Sequence, residues 1–488
     1  MNVLALETSE VVIGLEVHAE LLTQSKMYCG CANQPGAPPN TNVCPVCLGV
    51  PGALPVINQR AVELTALTGL ALNCSISEFT RFDRKNYFYP DLMKGYQISQ
   101  YLYPIAHDGW LEIEHDGQRH RIGIRRVHLE EDTAKLAHRV DPTNGRPYSL
   151  VDVNRGGVPL MEIVSNPDIH SAEQARLYLM ELRTMLQYLG VSTGNMEEGS
   201  FRCDANVSVR PTGATELGTK VEVKNMNSFR AVYRALEFEA ERQIKAIAAG
   251  ARLIQETRGW DENRGITVGQ RSKESAHDYR YFPEPDLPPL SLIPTWVESV
   301  RQQMPELPDA RRKRFADEFA LSPYDAEVLT TTRATADFFE EAVRLFAQPK
   351  MVANWMTGEL FRLLNATNTD IVDSKITPLS LTDLLTLIDK GVVSQRAAKD
   401  VFEQMFGTGE SANQIVEKMG LTQISDTAAL VQLVKDAIAA NPKSVADYQA
   451  GKPQAVGFLV GQVMKASRGK ANPAMVNSLL KAELDRTA

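Results

Sequence analysis

Alternating apolar and polar positions mark several strands in the N-terminal half of this chain. In VVIGLEVHAEL, Val11, Ile13, Leu15, Val17 and Ala19 take one face, and Gly14, Glu16, His18 and Glu20 take the other. That period of two is expected of a strand with one wet face. SFRCDANVSVR repeats it, with Phe201, Cys203, Ala205, Val207 and Val209 opposed by Arg202, Asp204, Asn206, Ser208 and Arg210. In TKVEVKNMNS, Lys220, Glu222 and Lys224 oppose Val221 and Val223. Between these segments the period changes. Ser171 and Gln174 make a capping box, Ala175, Leu179, Leu182, Leu186 and Leu189 recur at helical spacing, and Gly190 ends the run. The pattern predicts an α+β region, with helices packed on a mostly antiparallel sheet.

From about residue 295 the pattern becomes helical. The segment 281–294 carries Pro283, Pro285, Pro288, Pro289 and Pro294, a density that breaks helices and ladders and sets a boundary. A second boundary is predicted at 406–411, where Gly407 and Gly409 follow a helical run. SLTDLLTLIDKG (380–391) reads as a capped amphipathic helix, and 426–442 as another, stopped by Asn441-Pro442. The expected organisation is an α+β domain at 1–294, then two small all-α domains at 295–406 and 411–488.

Composition supports a globular chain of about three domains: 488 residues, 43% hydrophobic and 23% charged. No apolar stretch approaches the roughly 18 residues of a membrane span, and the N-terminus lacks the basic and apolar regions of a leader. The net charge of −8 argues against a nucleic-acid binder overall. The 411–488 segment is different, with nine basic and six acidic residues. Lys465, Arg468 and Lys470 gather there in a turn suited to a phosphate backbone.

Four of the six cysteines fall at C-x-C-x12-C-x2-C: Cys29, Cys31, Cys44 and Cys47. Two short pairs offer four thiolates to one tetrahedral zinc, a closed and therefore structural site. So few cysteines in so long a chain otherwise point to reduced thiols and a cytoplasmic setting.

Carboxylates are the more informative set. Glu16, His18 and Glu20 share a wet strand face, and Glu162 sits in the apolar run VPLMEIV, where a lone charge is costly. His128, Glu130, Glu131 and Asp132 crowd into VHLEEDTAKL, while Asp204 and Glu222 lie on two further polar faces. If these strands share one sheet, the polar faces converge, and oxygen ligands with an occasional imidazole suit Mg²⁺ or Mn²⁺. In FDRKNYFYPD, Lys85, Asn86 and Tyr87 set a cation and an amide beside aromatic rings, as a nucleotide site requires. No Walker A loop, G-x-G-x-x-G or G-x-S-x-G occurs, so any ATP chemistry here uses a site without a P-loop.

IGLEVHAEL, FDRKNYFYPDLMKGYQISQ, RVHLEEDTAKL, LVDVNRGGVPLMEIVSNPD, MEEGSFRCDANVSVR, EVKNMNSF and DYRYFPEPDLPPL resemble the B-subunit family of the tRNA-dependent amidotransferases. The C-terminal GFLVGQVMKASRGKANPAMVNSLLKAEL resembles that family's tail domain, so the resemblance covers essentially the whole chain. It implies a cradle domain with a zinc knuckle, a helical domain and a tail that contacts tRNA. It also implies ATP-dependent phosphorylation of the side-chain carboxylate of Glu-tRNA(Gln), and of Asp-tRNA(Asn), followed by amidation. Ammonia would come from a glutaminase A subunit, and a small C subunit would complete a heterotrimer. By the same resemblance Glu16, His18, Glu131 and Glu162 hold Mg²⁺, and Lys85, Asn86, Tyr87, Asp204 and Asn206 lie at the nucleotide. Strict alternation places Glu131 with Val127 and Leu129, so either a bulge re-aims it or Glu130 is the ligand. A non-catalytic tRNA-binding scaffold, or a metal-dependent hydrolase using the same acids, are the competing readings.

Overall fold

The computed structural model describes residues 9–272, 279–421, 427–450, 452, 454–467, 471 and 473–486. The chain forms two compact units, Met1–Pro308 and Asp309–Ala488. The elements that build the first are, in chain order, β1 (Ser9–Glu20), α1 (Gln59–Ala71), β2 (Ser75–Ile76), β3 (Asp83–Asn86), β4 (Tyr96–Ser99), β5 (Ala106–His115), β6 (Gln118–Glu131), β7 (Pro159–Ser165), α2 (Ala172–Tyr188), β8 (Phe201–Pro211), β9 (Val221–Lys224), α3 (Phe229–Ala248), β10 (Glu256–Asp261), β11 (Ile266–Ser272) and α4 (Pro294–Arg301).

Nine strands form one sheet in the order β11-β10-β9-β8-β1-β7-β6-β5-β2. Every pairing is antiparallel except β9 with β10. The predicted apolar face is the buried one. Leu15 and Val17 of β1, Val127 and Leu129 of β6, Ile163 of β7 and Ala205 of β8 share one core with Tyr178, Leu182 and Leu186 of α2 and Val232 and Leu236 of α3. Each large apolar side chain removed from water there contributes about 1.5–3 kcal/mol, which fixes the opposite face of the same strands as the polar one.

Helix α2 starts where the sequence predicts, with the Ser171 hydroxyl accepting from the Gln174 amide N–H. The Gln174 side chain instead accepts from His170 N–H, one residue earlier than a reciprocal box requires. The proline-rich segment is stitched into this unit. Phe282–Pro283 pairs with β3, Leu290–Ser291 pairs with Phe79–Thr80, and Val300 of α4 joins the core. Proline is compatible with such short edge pairings because one side of the strand needs no donor.

The second unit contains two separate helical cores, one from Phe315 to Val416 and one from Leu430 to Leu484. The helix predicted at 380–391 is Pro378–Asp389, with a capping box between Thr377 and Ser380. The break at 406–411 is a left-handed Gly409 cap between helices Gln395–Thr408 and Ala412–Met419, which share the first of these cores. Of the basic turn near residue 468, Arg468 and Lys470 lie outside the described residues.

Candidate active site

Register across β8, β1, β7 and β6 sets one row of polar side chains: Arg202 opposite His18, His18 opposite Glu162, and Glu162 opposite His128. The neighbouring row carries Asp204, Glu16, Val164 and Arg126, and the row on the other side carries Leu160 between Glu20 and Glu130. Antiparallel pairing leaves directly opposed side chains about 5 Å apart on one face. Groups far apart in sequence are thereby brought within reach of a shared ligand.

On this face His18, Glu130 and Glu162 form a cluster whose ligand atoms all lie within 4.8 Å of one another. The His18 Nε2 stands 3.8 Å from an oxygen of each carboxylate, and His128 Nε2 stands 3.2 Å from Glu162 Oε2. Glu130 is buried and accepts a hydrogen bond from Ser99 Oγ at 3.3 Å. Burial alone would raise the Glu162 carboxyl, but the adjoining His128, His18 and Arg126 outweigh it and hold the group ionised well below the usual carboxylate range. Two ionised or ionisable oxygen donors and an imidazole, half screened from water, fit a hard divalent cation.

Glu131 does not join this group. Strand β6 runs without a bulge from Val127 to Glu131, which pairs with Pro159, so Glu131 stays on the Val127 and Leu129 side. There it ion-pairs with Lys94 and accepts from Ile98 N–H at 3.0 Å. The pair borders a separate cavity of about 160 Å³ lined also by Tyr28, Cys47 and Gly157. Of the two neighbouring acids, Glu130 lies in the cluster and Glu131 on the other face, because two consecutive residues on an unbroken strand face opposite ways.

Glu16 lies on the correct face, one row from the cluster, and its Oε1 accepts from Asn206 Nδ2 at 2.9 Å. Asp204 is bound by Lys224 Nζ at 2.5 Å, which also stands 3.5 Å from Glu222. Lys85 sits between the Tyr87 and Tyr279 rings, 5.7 and 4.9 Å from their centroids. Loss of water works against its charge, but Glu130, Tyr281, Tyr87 and Glu162 together outweigh that and hold the ammonium above its usual range. Asn86 is engaged otherwise: its Nδ2 donates to the Arg280 carbonyl at 2.9 Å, tying β3 to the segment after it. Tyr87 packs edge-on against Tyr279.

The four clustered cysteines also meet, with sulfurs within 4.8 Å of one another, and all are thiols. Cys44 and Cys47 sulfurs are 3.9 Å apart, close to the ~3.8 Å that two thiolates show around one tetrahedral zinc. A hydrogen bond from Cys29 does most to bring the Cys47 thiol down to about 4, against its burial and with help from the Cys44 backbone N–H and Lys26. This group could hold a metal.

Sequence reasoning missed Lys94, Arg202 and Lys224 as partners of the acids. Nothing in a single strand's alternation reveals which strand lies beside it. His128 was visible, two residues from Glu130 and hence on its face, but only the register puts it against Glu162.

The chain matches the GatB/GatE catalytic domain over residues 11–298 and the GatB domain over residues 337–484. It is 57% identical to the B subunit of the aspartyl/glutamyl-tRNA(Asn/Gln) amidotransferase of Carboxydothermus hydrogenoformans, across 97% of this chain and 98% of that protein. It is 58% identical to the protein of that name from Moorella thermoacetica, across 97% and 99%, and 56% identical to that from Dehalococcoides mccartyi, across 98% and 99%. The chain belongs to the GatB family, the B subunits of the glutamine-dependent, tRNA-dependent amidotransferases.

Proposed function

We propose that this chain activates the side-chain carboxylate of Glu-tRNA(Gln), and of Asp-tRNA(Asn), by phosphorylation from ATP and then hosts its amidation. The observation that carries the proposal is the convergence of His18, Glu130 and Glu162 on one sheet face beside Lys85. A carboxylate is inert to ammonia because its leaving group would be oxide. Attack of the carboxylate oxygen on the γ-phosphorus breaks the bond to ADP and gives an acyl phosphate. Ammonia then adds to the acyl carbon, loses a proton and expels inorganic phosphate, leaving the amide.

Phosphoryl transfer of this kind is mostly positioning and charge neutralisation. His18, Glu130 and Glu162 would hold Mg²⁺, which when bound neutralises phosphate charge and aligns the transfer. Lys85, oriented by the Tyr87 and Tyr279 rings, supplies a fixed cation for the transferring oxygens. Asn206 and Lys224 restrain Glu16 and Asp204 at the nucleotide end. Cys29, Cys31, Cys44 and Cys47 take a structural zinc, since four thiolates leave no position for substrate.

The reading includes a glutaminase A subunit and a small C subunit as partners, a cytoplasmic location, and cradle, helical and tail modules. Among the described residues no helix is long and apolar enough to cross a membrane. The test is transfer of label from γ-labelled ATP to Glu-tRNA by the assembled complex with no ammonia donor. Label on the aminoacyl group, lost in Glu162→Gln, supports the proposal. Tight tRNA binding with label transfer unaffected by Glu162→Gln would favour the scaffold reading instead.

A further inference from the structure

Between β6 and β7 the chain leaves the sheet as a two-stranded ribbon, Lys135–Val140 paired with Pro147–Asp152. It starts four residues after Glu131, and its root is fixed to the site: buried Asp132 binds Arg202 at 2.5 Å and Arg155 at 3.6 Å, and Arg155 in turn donates to the Thr133 and Ala134 carbonyls. The outer part touches little. Val140, Tyr148 and Leu150 are exposed at 65%, 46% and 54%. The root holds the ribbon in place, and with both faces wet its outer surface is free to meet a partner.

The charges say which partner. Register puts Lys135, Arg139, Tyr148 and Leu150 on the ribbon, and Arg146 lies at the turn. Among the described residues, none of these three cations has a carboxylate within ion-pair distance, whereas most arginines near the sheet do. The acid at the turn is already satisfied: Asp141 accepts from Thr143 N–H and Oγ1 and from Asn144 Nδ2. Asp152 at the root accepts from Asn40 N–H. Lys135 lies opposite Asp152 in the register, so Arg139, beside Tyr148, and Arg146 are the cations the ribbon offers, and they complement a phosphate backbone with exposed sugar edges. Six residues per strand reach about 20 Å from the root of the ribbon.

We infer that this ribbon grips the phosphate backbone of the aminoacyl-tRNA stem, holding it while the 3′ end enters the site; this rests on the function proposed above. The test uses the complex of this chain with its A and C subunits. Affinity for tRNA is measured at several salt concentrations for wild type, for Arg139→Glu with Arg146→Glu, and for Lys245→Glu on α3 with Arg252→Glu just after it as a charge-matched control. The double reversal is expected to weaken tRNA binding about tenfold, to flatten the salt dependence by roughly one unit of slope per lost contact, and to leave the KM for ATP unchanged. The control should match wild type. Equal affinity and slope in the double variant overturn the inference, as does loss of subunit assembly rather than tRNA binding in Tyr148→Ser with Leu150→Ser, which would make the ribbon a protein-docking element. Wild type that binds tRNA but transfers no phosphate counts against the proposed function and leaves the ribbon comparison fully readable.

Discussion

Exchanging each of two adjacent glutamates for glutamine separates the two faces of β6. Glu130→Gln keeps the shape of the side chain but removes one of two carboxylates from the cluster with His18. Even residues that only orient metal ligands cost roughly 10- to 100-fold when replaced, so loss of a direct ligand should lower kcat at least about 100-fold, some 2.7 kcal/mol of barrier. The half-saturating Mg²⁺ concentration should rise with it. Melting of the metal-free protein does not read this variant, because relief of repulsion from Glu162 is opposed by loss of the charge that faces buried Lys85; the Mg²⁺ titration does. Glu131→Gln acts on stability instead. It strands Lys94, whose side chain is 13% exposed, opposite a Glu131 that is 5% exposed. Breaking a fully buried pair costs about 3–5 kcal/mol. Here the amide still accepts a hydrogen bond and the Tyr28 and Tyr96 rings still face the ammonium, so about 2 kcal/mol is expected, lowering the melting temperature by about 4 °C. Mg²⁺ titration of γ-phosphate transfer for both variants, with thermal melts of Glu131→Gln, checks this. A rise in half-saturating Mg²⁺ for Glu131→Gln, with Glu130→Gln at the wild-type value, would refute the assignment.

Metal analysis of the purified chain should find one zinc, lost in Cys47→Ser together with a lower melting temperature. Retention of stoichiometric zinc in that variant would remove the four-thiolate site. The Glu20 carboxyl is pushed up to about 7, first by burial and then by the charge and hydrogen bond of Asp132. Its folded pKa exceeds the unfolded one, so the stability it contributes is complete below about 4.5 and is lost as pH rises towards 7. Glu20→Gln should therefore melt higher than wild type at pH 8, with the advantage fading by pH 5; a constant offset across that range contradicts it. Leu182→Ala, in the core beneath the sheet, should cost about 2–5 kcal/mol, read by denaturant melts, while the half-saturating Mg²⁺ of the folded fraction stays unchanged.

Alternation alone assigned Glu16, His18, Asp204 and Asn206 to a polar face, because a strand with one buried side has little freedom of register towards the core. The isolated Glu162 was legible for a different reason: a charge inside an apolar run must have company. What one sequence does not encode locally is which strands are neighbours. β1 lies between β7 and β8, segments some 140 and 190 residues away, so the rows that bring Arg202 and His128 to the cluster emerge only from the folded sheet. The face that Glu131 takes turned on a bulge that the backbone does not make. Lys94 gave no signal at all, sitting in a loop before β4 with no periodicity to interpret. The ribbon after β6 was equally silent, since a hairpin wet on both faces shows no apolar stripe. The break at 406–411 was read from its glycines, which mark a helix cap; whether the helices on either side share a core depends on packing beyond any local motif.

The claim on which the rest depends is that His18, Glu130 and Glu162 together hold a divalent cation. Pulsed electron paramagnetic resonance of the assembled complex loaded with Mn²⁺ reads the ligands directly. The account predicts modulation from a directly bound imidazole nitrogen, abolished in His18→Ala, with Mn²⁺ affinity falling in Glu130→Gln and Glu162→Gln but not in Glu131→Gln. A Mn²⁺ spectrum without nitrogen coupling, or one unchanged by His18→Ala, would contradict it.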